Sequence, residues 1–123
     1  MSIWFKQYTI DDINQRNTGT MSDFLGIEAQ EIGDDYLVNT LPVRKKIKQP
    51  LGIVHGGVSC VLAETVGSVA SNLCVDPEKY ACVGLDINAN HIKAVRNGIL
   101  IATARPMHLG YRTHVWQIII ENE

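Results

Sequence analysis

Three scarcities bound what this chain can be. It has no surplus of either charge: eleven Lys and Arg stand against thirteen Asp and Glu, a net charge of -2. That balance excludes a strong electrostatic footprint for nucleic acid or for an anionic membrane surface. It has only three cysteines, Cys60, Cys74 and Cys82, an odd number with no C-x-x-C spacing. Such usage argues against a disulfide framework and fits reduced thiols in a cytosolic setting. It has no apolar run near the roughly 20 residues of a membrane span, and its start, MSIWFKQYTI, lacks a long apolar h-region. The expectation is a soluble, cytoplasmic protein. No repeat, low-complexity segment or linker interrupts the 123 residues, so residues 1–123 are read as a single domain.

What is present is patterned. Thr9 to Asn14 predicts a short helix, with Thr9 as N-cap and acids in its first turn, and Asn17 to Met21 is rich in turn formers. Leu25–Glu31 and Tyr36–Val43 alternate and read as two strands of a hairpin around Gly33-Asp34-Asp35. A basic loop follows, in which Arg44, Lys45, Lys46 and Lys48 are either a solvated face or a landing site for a ligand phosphate. From Gly56-Gly57 to about Val75, Val58, Val61, Leu62, Thr65, Val66, Val69 and Leu73 recur at helical spacing, stopped by Asp76-Pro77. Ala63, Gly67, Ser68, Ala70 and Ser71 are small, and Glu64 is the one charge, so this helix is expected to be enclosed on nearly all sides.

Three extended runs are expected after it: Ala81–Ala94, Gly98–Met107 and Arg112–Glu121, with Asn97-Gly98 turning between the first two. The class is therefore α+β, an antiparallel sheet wrapped around one long helix. Glu121-Asn122-Glu123 falls where a hairpin turn is due, which predicts that a last strand is missing from this sequence.

Glu64 is the chemical clue. An ionised carboxylate withdrawn from water must be paired, hydrogen-bonded or protonated, so it is either a structural partner of some Arg or a functional group. His55-Gly56-Gly57 stands where the helix begins. Glycines there admit a close ligand, and the unsatisfied N–H groups with the helix dipole favour an oxyanion. Glu64 lies about 12 Å further along at 1.5 Å per residue. That is too far for both ends to act on one carbonyl within one chain, and it predicts a site shared between subunits.

The pattern Q-x5-H-G-G-x6-E, running from Gln49 through His55-Gly56-Gly57 to Glu64, resembles the signature of hotdog-fold acyl-CoA thioesterases. The likeness is to the phenylacetate-degradation and 1,4-dihydroxy-2-naphthoyl-CoA hydrolase branch. Val83-Gly84-Leu85-Asp86-Ile87-Asn88-Ala89-Asn90-His91 and His108-Leu109-Gly110 extend it over nearly the whole chain. The resemblance implies a hotdog fold and hydrolysis of an acyl-CoA or acyl-carrier-protein thioester, with no cofactor. It implies Glu64 as the carboxylate that attacks the thioester or activates a water. The Gly56 N–H would polarise the carbonyl, with His55 orienting and Gly57 at the substrate. Gln49 would contact the reacting region across a subunit boundary, Ser68 would hold water or thiolate, and His91 would line the acyl end. It further implies a homo-oligomer, a dimer with shared sites paired into a tetramer.

Two positions depart from the branch. Ile92-Lys93-Ala94-Val95 keeps a base but lacks the proline that some relatives place there. That makes Lys93 the first candidate for a CoA phosphate and Arg96 a weaker one. Tyr111 intervenes between Gly110 and Arg112, where close relatives more often place the arginine directly. Other chemistries fit less well. Gly57-Val58-Ser59-Cys60-Val61 lacks the final glycine of a nucleophile elbow and lies within a helix. His55, Glu64, His91, His108 and His114 show no metal-ligand spacing. Cys60 has no neighbouring base to make it a nucleophile. A hotdog dehydratase or a non-catalytic acyl-CoA binding module is the remaining rival. His before Gly-Gly with Glu inside the helix favours hydrolysis.

Overall fold

The structure, a computed structural model, describes residues 1–123. Thr9 caps α1 (Ile10–Gln15) through a reciprocal pair: its hydroxyl accepts from the Asp12 N–H at 3.1 Å, and Asp12 accepts from the Thr9 N–H at 3.1 Å. The carboxylate is held below the usual aspartate range, first by the Thr9 N–H that it accepts from and then by the Thr9 side chain. A second short helix, α2 (Met21–Leu25), ends on Gly26, whose φ of +89° is the left-handed cap position that suits glycine.

The hairpin forms as β1 (Glu28–Ile32) and β2 (Leu37–Pro42), closed by the Gly33 N–H donating to the Tyr36 carbonyl at 2.9 Å. The basic loop contains one 3-10 turn, Lys45–Ile47, before α3 (Gly56–Cys74). After the helix come β3 (Ile99–Leu109) and β4 (His114–Asn122), joined by a turn in which the Gly110 N–H donates to the Thr113 carbonyl. All pairs are antiparallel, in the order β1-β2-β3-β4.

Leu62, Val66, Ala70 and Leu73 form the buried stripe of α3. Facing it are alternate residues of β2 (Leu37, Asn39, Leu41) and β3 (Leu100, Ala102, Ala104), all buried. Register places Leu37 opposite Ala104, Asn39 opposite Ala102 and Leu41 opposite Leu100. The two alanines let the helix lie close to the sheet centre. The N-terminal segment closes the far end. The Phe5 N–H donates to the Leu73 carbonyl at 2.8 Å, the Trp4 indole donates to the Gly33 carbonyl, and Trp4 stacks on Trp116 with centroids 6.5 Å apart.

Two expectations need correction. Ala81–Ala94 is extended but belongs to no strand, so Asn97-Gly98 is not a hairpin turn and two strands follow α3 rather than three. A strand is a property of a pair: β3 is already flanked by β2 and β4, and residues 81–94 pair with neither free edge of the sheet, β1 or β4. Gly98 is nonetheless left-handed (φ +98°), turning the chain into β3 while its carbonyl accepts from the Val43 N–H. Nor is Glu64 withdrawn from water, although every other residue of α3 except Gly57 is buried or half-buried. Glu64 is exposed in the chain by itself, as is Gly57, so the carboxylate keeps its hydration instead of bearing a desolvation cost.

Candidate active site

The approach to α3 is a tight turn. Lys48 and Val54 bridge, the Gln49 N–H donates to the Ile53 carbonyl at 2.8 Å, and the Gly52 N–H returns to the Gln49 carbonyl at 2.9 Å with Gly52 at φ +82°. The Gln49 carboxamide oxygen accepts from the Leu51 N–H, which leaves its NH2 group as the outward donor. The His55 N–H is held by the Ile47 carbonyl at 2.9 Å, and His55 is the N-cap. Its Nδ1 accepts from the Gly57 N–H at 2.8 Å, so the neutral ring carries its proton on Nε2. The cap takes Gly57 and leaves the Gly56 N–H, in the first turn where no intrahelical acceptor exists, without a partner. That N–H lies at the positive end of 19 residues of helix.

Residues 81–97 run alongside α3 and bring two groups to it. A Cβ placed on Gly56 would lie 3.3 Å from His91 Nε2, so the His91 imidazole sits on the helix start. A Cβ placed on Gly84 would lie 2.7 Å from Glu64 Oε2, so the backbone there touches the carboxylate. Asn72 ties the segment down: its Nδ2 donates to the carbonyls of Ser68 (2.8 Å) and Cys82 (3.0 Å), and its Oδ1 accepts from the Cys82 N–H (2.8 Å).

Between α3, β4 and this segment opens a cleft of about 2010 Å³, whose walls include Gln49, Gly56, Glu64, Ser68, His91 and Lys93. Six of the eight residues singled out in the sequence are thus brought together. The other two, His55 and Gly57, lie outside the lining and are joined to each other by the cap. Glu64 and Ser68, one turn apart, face the same space, while Gly56 lies about 12 Å back along the axis and about 80° round it. No ion pair engages Lys93. Arg96 donates to the Leu51 carbonyl at 3.3 Å and so supports the turn before the helix. The basic loop is elsewhere: Arg44, Lys45 and Lys46 line a separate hollow of about 310 Å³ with Phe24, and Arg44 donates to the Phe24 carbonyl.

The cleft also holds two thiols that are poor nucleophiles. Burial, and then the neighbouring Cys82, push the Cys74 thiol up to about 11, and burial raises Cys82 as well. On its floor, buried Ser71 accepts from the Trp116 indole at 2.7 Å and shares a 2.9 Å hydrogen bond with His114 Nδ1.

Matches to known proteins give the family. Residues 51–123, more than half the chain, match the thioesterase superfamily. The chain belongs to that superfamily. A 1,4-dihydroxy-2-naphthoyl-CoA hydrolase of Escherichia coli (strain K12) is 47% identical over 121 residues, covering 98% of this chain and 88% of that protein. A putative esterase of Pseudomonas aeruginosa, PA1618, is 43% identical over all 123 residues and 85% of its own length. The crystal structure of a mutant thioesterase PA1618 superposes with a TM-score of 0.97 at 42% identity, over 99% of this chain and 88% of that one. The sheet over one long helix is the hotdog fold of thioesterases, and this thioesterase-superfamily chain is a thioester hydrolase.

Sequence reasoning missed Asn72, Gly84 and the Ser71–His114–Trp116 group. Asn72 carried a signal, since Glu64, Ser68 and Asn72 recur every fourth residue as a polar row on an apolar helix. Gly84 carried a fainter one, a glycine inside a run that otherwise reads as strand.

Proposed function

We propose that the chain hydrolyses the thioester of an aromatic or related acyl-CoA, with Glu64 as the catalytic carboxylate. The observation that carries this reading is the pairing, on one cleft, of a free N–H at the pole of α3 with a solvent-facing carboxylate. The thioester carbonyl gains negative charge as it is attacked, and the Gly56 N–H is the donor for that oxygen. His55 keeps it free by capping through Gly57 instead. Glu64 either takes the proton of an attacking water or attacks the carbonyl itself to form a mixed anhydride that water then cleaves. On both routes the C–S bond breaks, CoA departs as thiolate and is protonated, and the acid is released. In a single turnover in ¹⁸O-labelled water, label in the Glu64 carboxylate marks the anhydride route with water attacking the Glu64 carbonyl, since the general-base route puts label only in the released acid.

The separation of about 12 Å between Gly56 and Glu64 supports a site shared between subunits. Each carbonyl lies between the helix start of one subunit, with its Gln49, and the Glu64 of another. On this reading the working unit is a homodimer with shared sites, paired into a tetramer. Ser68 holds the water or the leaving thiolate, Gly57 borders the substrate behind the cap, His91 lines the acyl end, and Lys93 meets a phosphate of CoA. The names of relatives, 1,4-dihydroxy-2-naphthoyl-CoA hydrolase and proofreading thioesterase EntH, support an aryl acyl group on CoA or on a carrier protein. A cytoplasmic location suits such substrates, and no helix is long and apolar enough to cross a membrane. The test is thiol release from benzoyl-CoA and a panel of acyl-CoA and carrier-protein thioesters. Glu64→Gln should lower kcat by about 10²–10⁴-fold with the fold intact. Wild-type turnover in that variant would make Glu64 a bystander.

A further inference from the structure

The catalytic reading of Glu64 leaves open what aims it. A glutamate on a helix surface has three side-chain torsions, and an exposed one samples several rotamers unless something limits it. No salt bridge or side-chain hydrogen bond holds Glu64. What stands against it is backbone. A Cβ on Gly84 would lie 2.7 Å from Oε2, 3.6 Å from Cδ and 3.7 Å from Oε1, so the carboxylate rests edge-on against the one residue of the segment with no side chain.

The segment's position there is itself specified. Between Cys82 and Val95 it makes no backbone hydrogen bond of its own, and two pins hold its ends. At one end the Val95 carbonyl accepts from the Val54 N–H at 2.8 Å. At the other, the Asn72 carboxamide engages both the N–H and the carbonyl of Cys82, as a neighbouring strand would, while its second N–H bonds the Ser68 carbonyl in α3. Gly84 follows this pin by two residues, about 7 Å of extended chain, too short a tether to wander far.

We infer that Gly84 and Asn72 are positioning residues for Glu64: Asn72 fixes the segment against α3, and the bare backbone of Gly84 limits the carboxylate to the rotamer that faces the cleft. This rests on Glu64 being the catalytic carboxylate. An alanine at residue 84 must displace the carboxylate, because a methyl carbon and an oxygen with no hydrogen bond between them cannot stay 2.7 Å apart. The far end of a glutamate moves easily, so the fold survives while the aim is lost. A displacement of about 1 Å at a reacting group is worth about 100-fold in rate.

The experiment compares Gly84→Ala, Asn72→Ala and Glu64→Gln, alone and combined, on the full chain with benzoyl-CoA, or with the best substrate of the panel. The thermal midpoint and solution mass are read alongside. Gly84→Ala should lower kcat by about 10–100-fold with KM changed less than about threefold. Asn72→Ala should follow in the same direction. In the Glu64→Gln background neither should lower the residual rate further, since there is no carboxylate left to aim. A purely structural role would instead move the thermal midpoint and add to the loss in that background. If Glu64→Gln is inactive while folded Gly84→Ala and Asn72→Ala keep wild-type kcat, the positioning inference is wrong and the proposed function stands. If Glu64→Gln is fully active, the proposed function itself fails. Should Gly84→Ala not fold, the Asn72→Ala result decides by the same rule.

Discussion

Replacing Ser71 by alanine removes one oxygen from the floor of the cleft. Ser71 is 7% exposed, and its hydroxyl is the partner of both the Trp116 indole (2.7 Å) and His114 Nδ1 (2.9 Å). Each lost hydrogen bond costs about 1 kcal/mol net, and water does not readily replace a partner at a half-buried indole. Alanine returns about 0.5 kcal/mol because it is the better helix former at a position inside α3. The net loss is about 1.5 kcal/mol. Unfolding entropy of about 2.1 cal/mol/K per residue gives about 0.26 kcal/mol/K for 123 residues, so the midpoint should fall by about 6 °C. Calorimetry or far-UV circular dichroism at fixed protein concentration reads that shift, because association would otherwise move the midpoint. Near-UV dichroism reads the release of Trp116, which keeps its stack on Trp4. A midpoint within about 1 °C of wild type would refute the claim that this hydroxyl bridges sheet and helix.

Leu62, with no exposed surface in the middle of the buried stripe of α3, should cost about 2–5 kcal/mol when cut to alanine; a loss under about 1 kcal/mol in urea unfolding would mean the helix is not packed as described. His114 is held below its ordinary value of 6.5, first by burial and then by the charge of His108. The unfolded chain therefore binds that proton more readily, and stability should fall as pH drops below about 6.5, levelling off beneath the folded value. His114→Asn should flatten that part of the profile, and parallel urea midpoints from about pH 8 to about pH 5 would contradict it. The Glu64→Gln and Gly84→Ala turnover measurements stand with these.

How far the sequence reveals the structure depends on whether a feature is local. The helix Gly56–Cys74 was legible to within a residue at each end, because its periodicity runs for five turns and Pro77 lies just beyond it. The β1–β2 hairpin and the Thr9 cap were legible for the same reason: turn and cap chemistry act over three or four residues. The five residues of α2 carry too few turns for a pattern and depend on Gly26 reversing the chain. Residues 81–94 look like a strand in every local respect, yet strand formation needs an edge that sequence alone does not place. At the site, spacing along one helix revealed Gly56, Glu64 and Ser68 together. The contact of Gly84 with Glu64 joins residues twenty positions apart through a segment with no sheet to fix its course, and no spacing rule reaches it.

One helix carries both the stripe that holds the fold and the groups that line the cleft, and this ties the two together in a way that matters for divergence. Between Gly56 and Glu64 each residue turns the chain by about 100°. A one-residue insertion or deletion there would swing Glu64 away from the cleft or carry Leu62 out from under the sheet, whichever side of the change kept its place. Substitutions in this interval can be absorbed singly, but length cannot drift. Lineages of such chains should therefore keep six residues from Val58 to Ala63 and a large apolar side chain at residue 62, varying in identity at the half-exposed positions, with gaps accumulating instead in the basic loop and the β3–β4 turn.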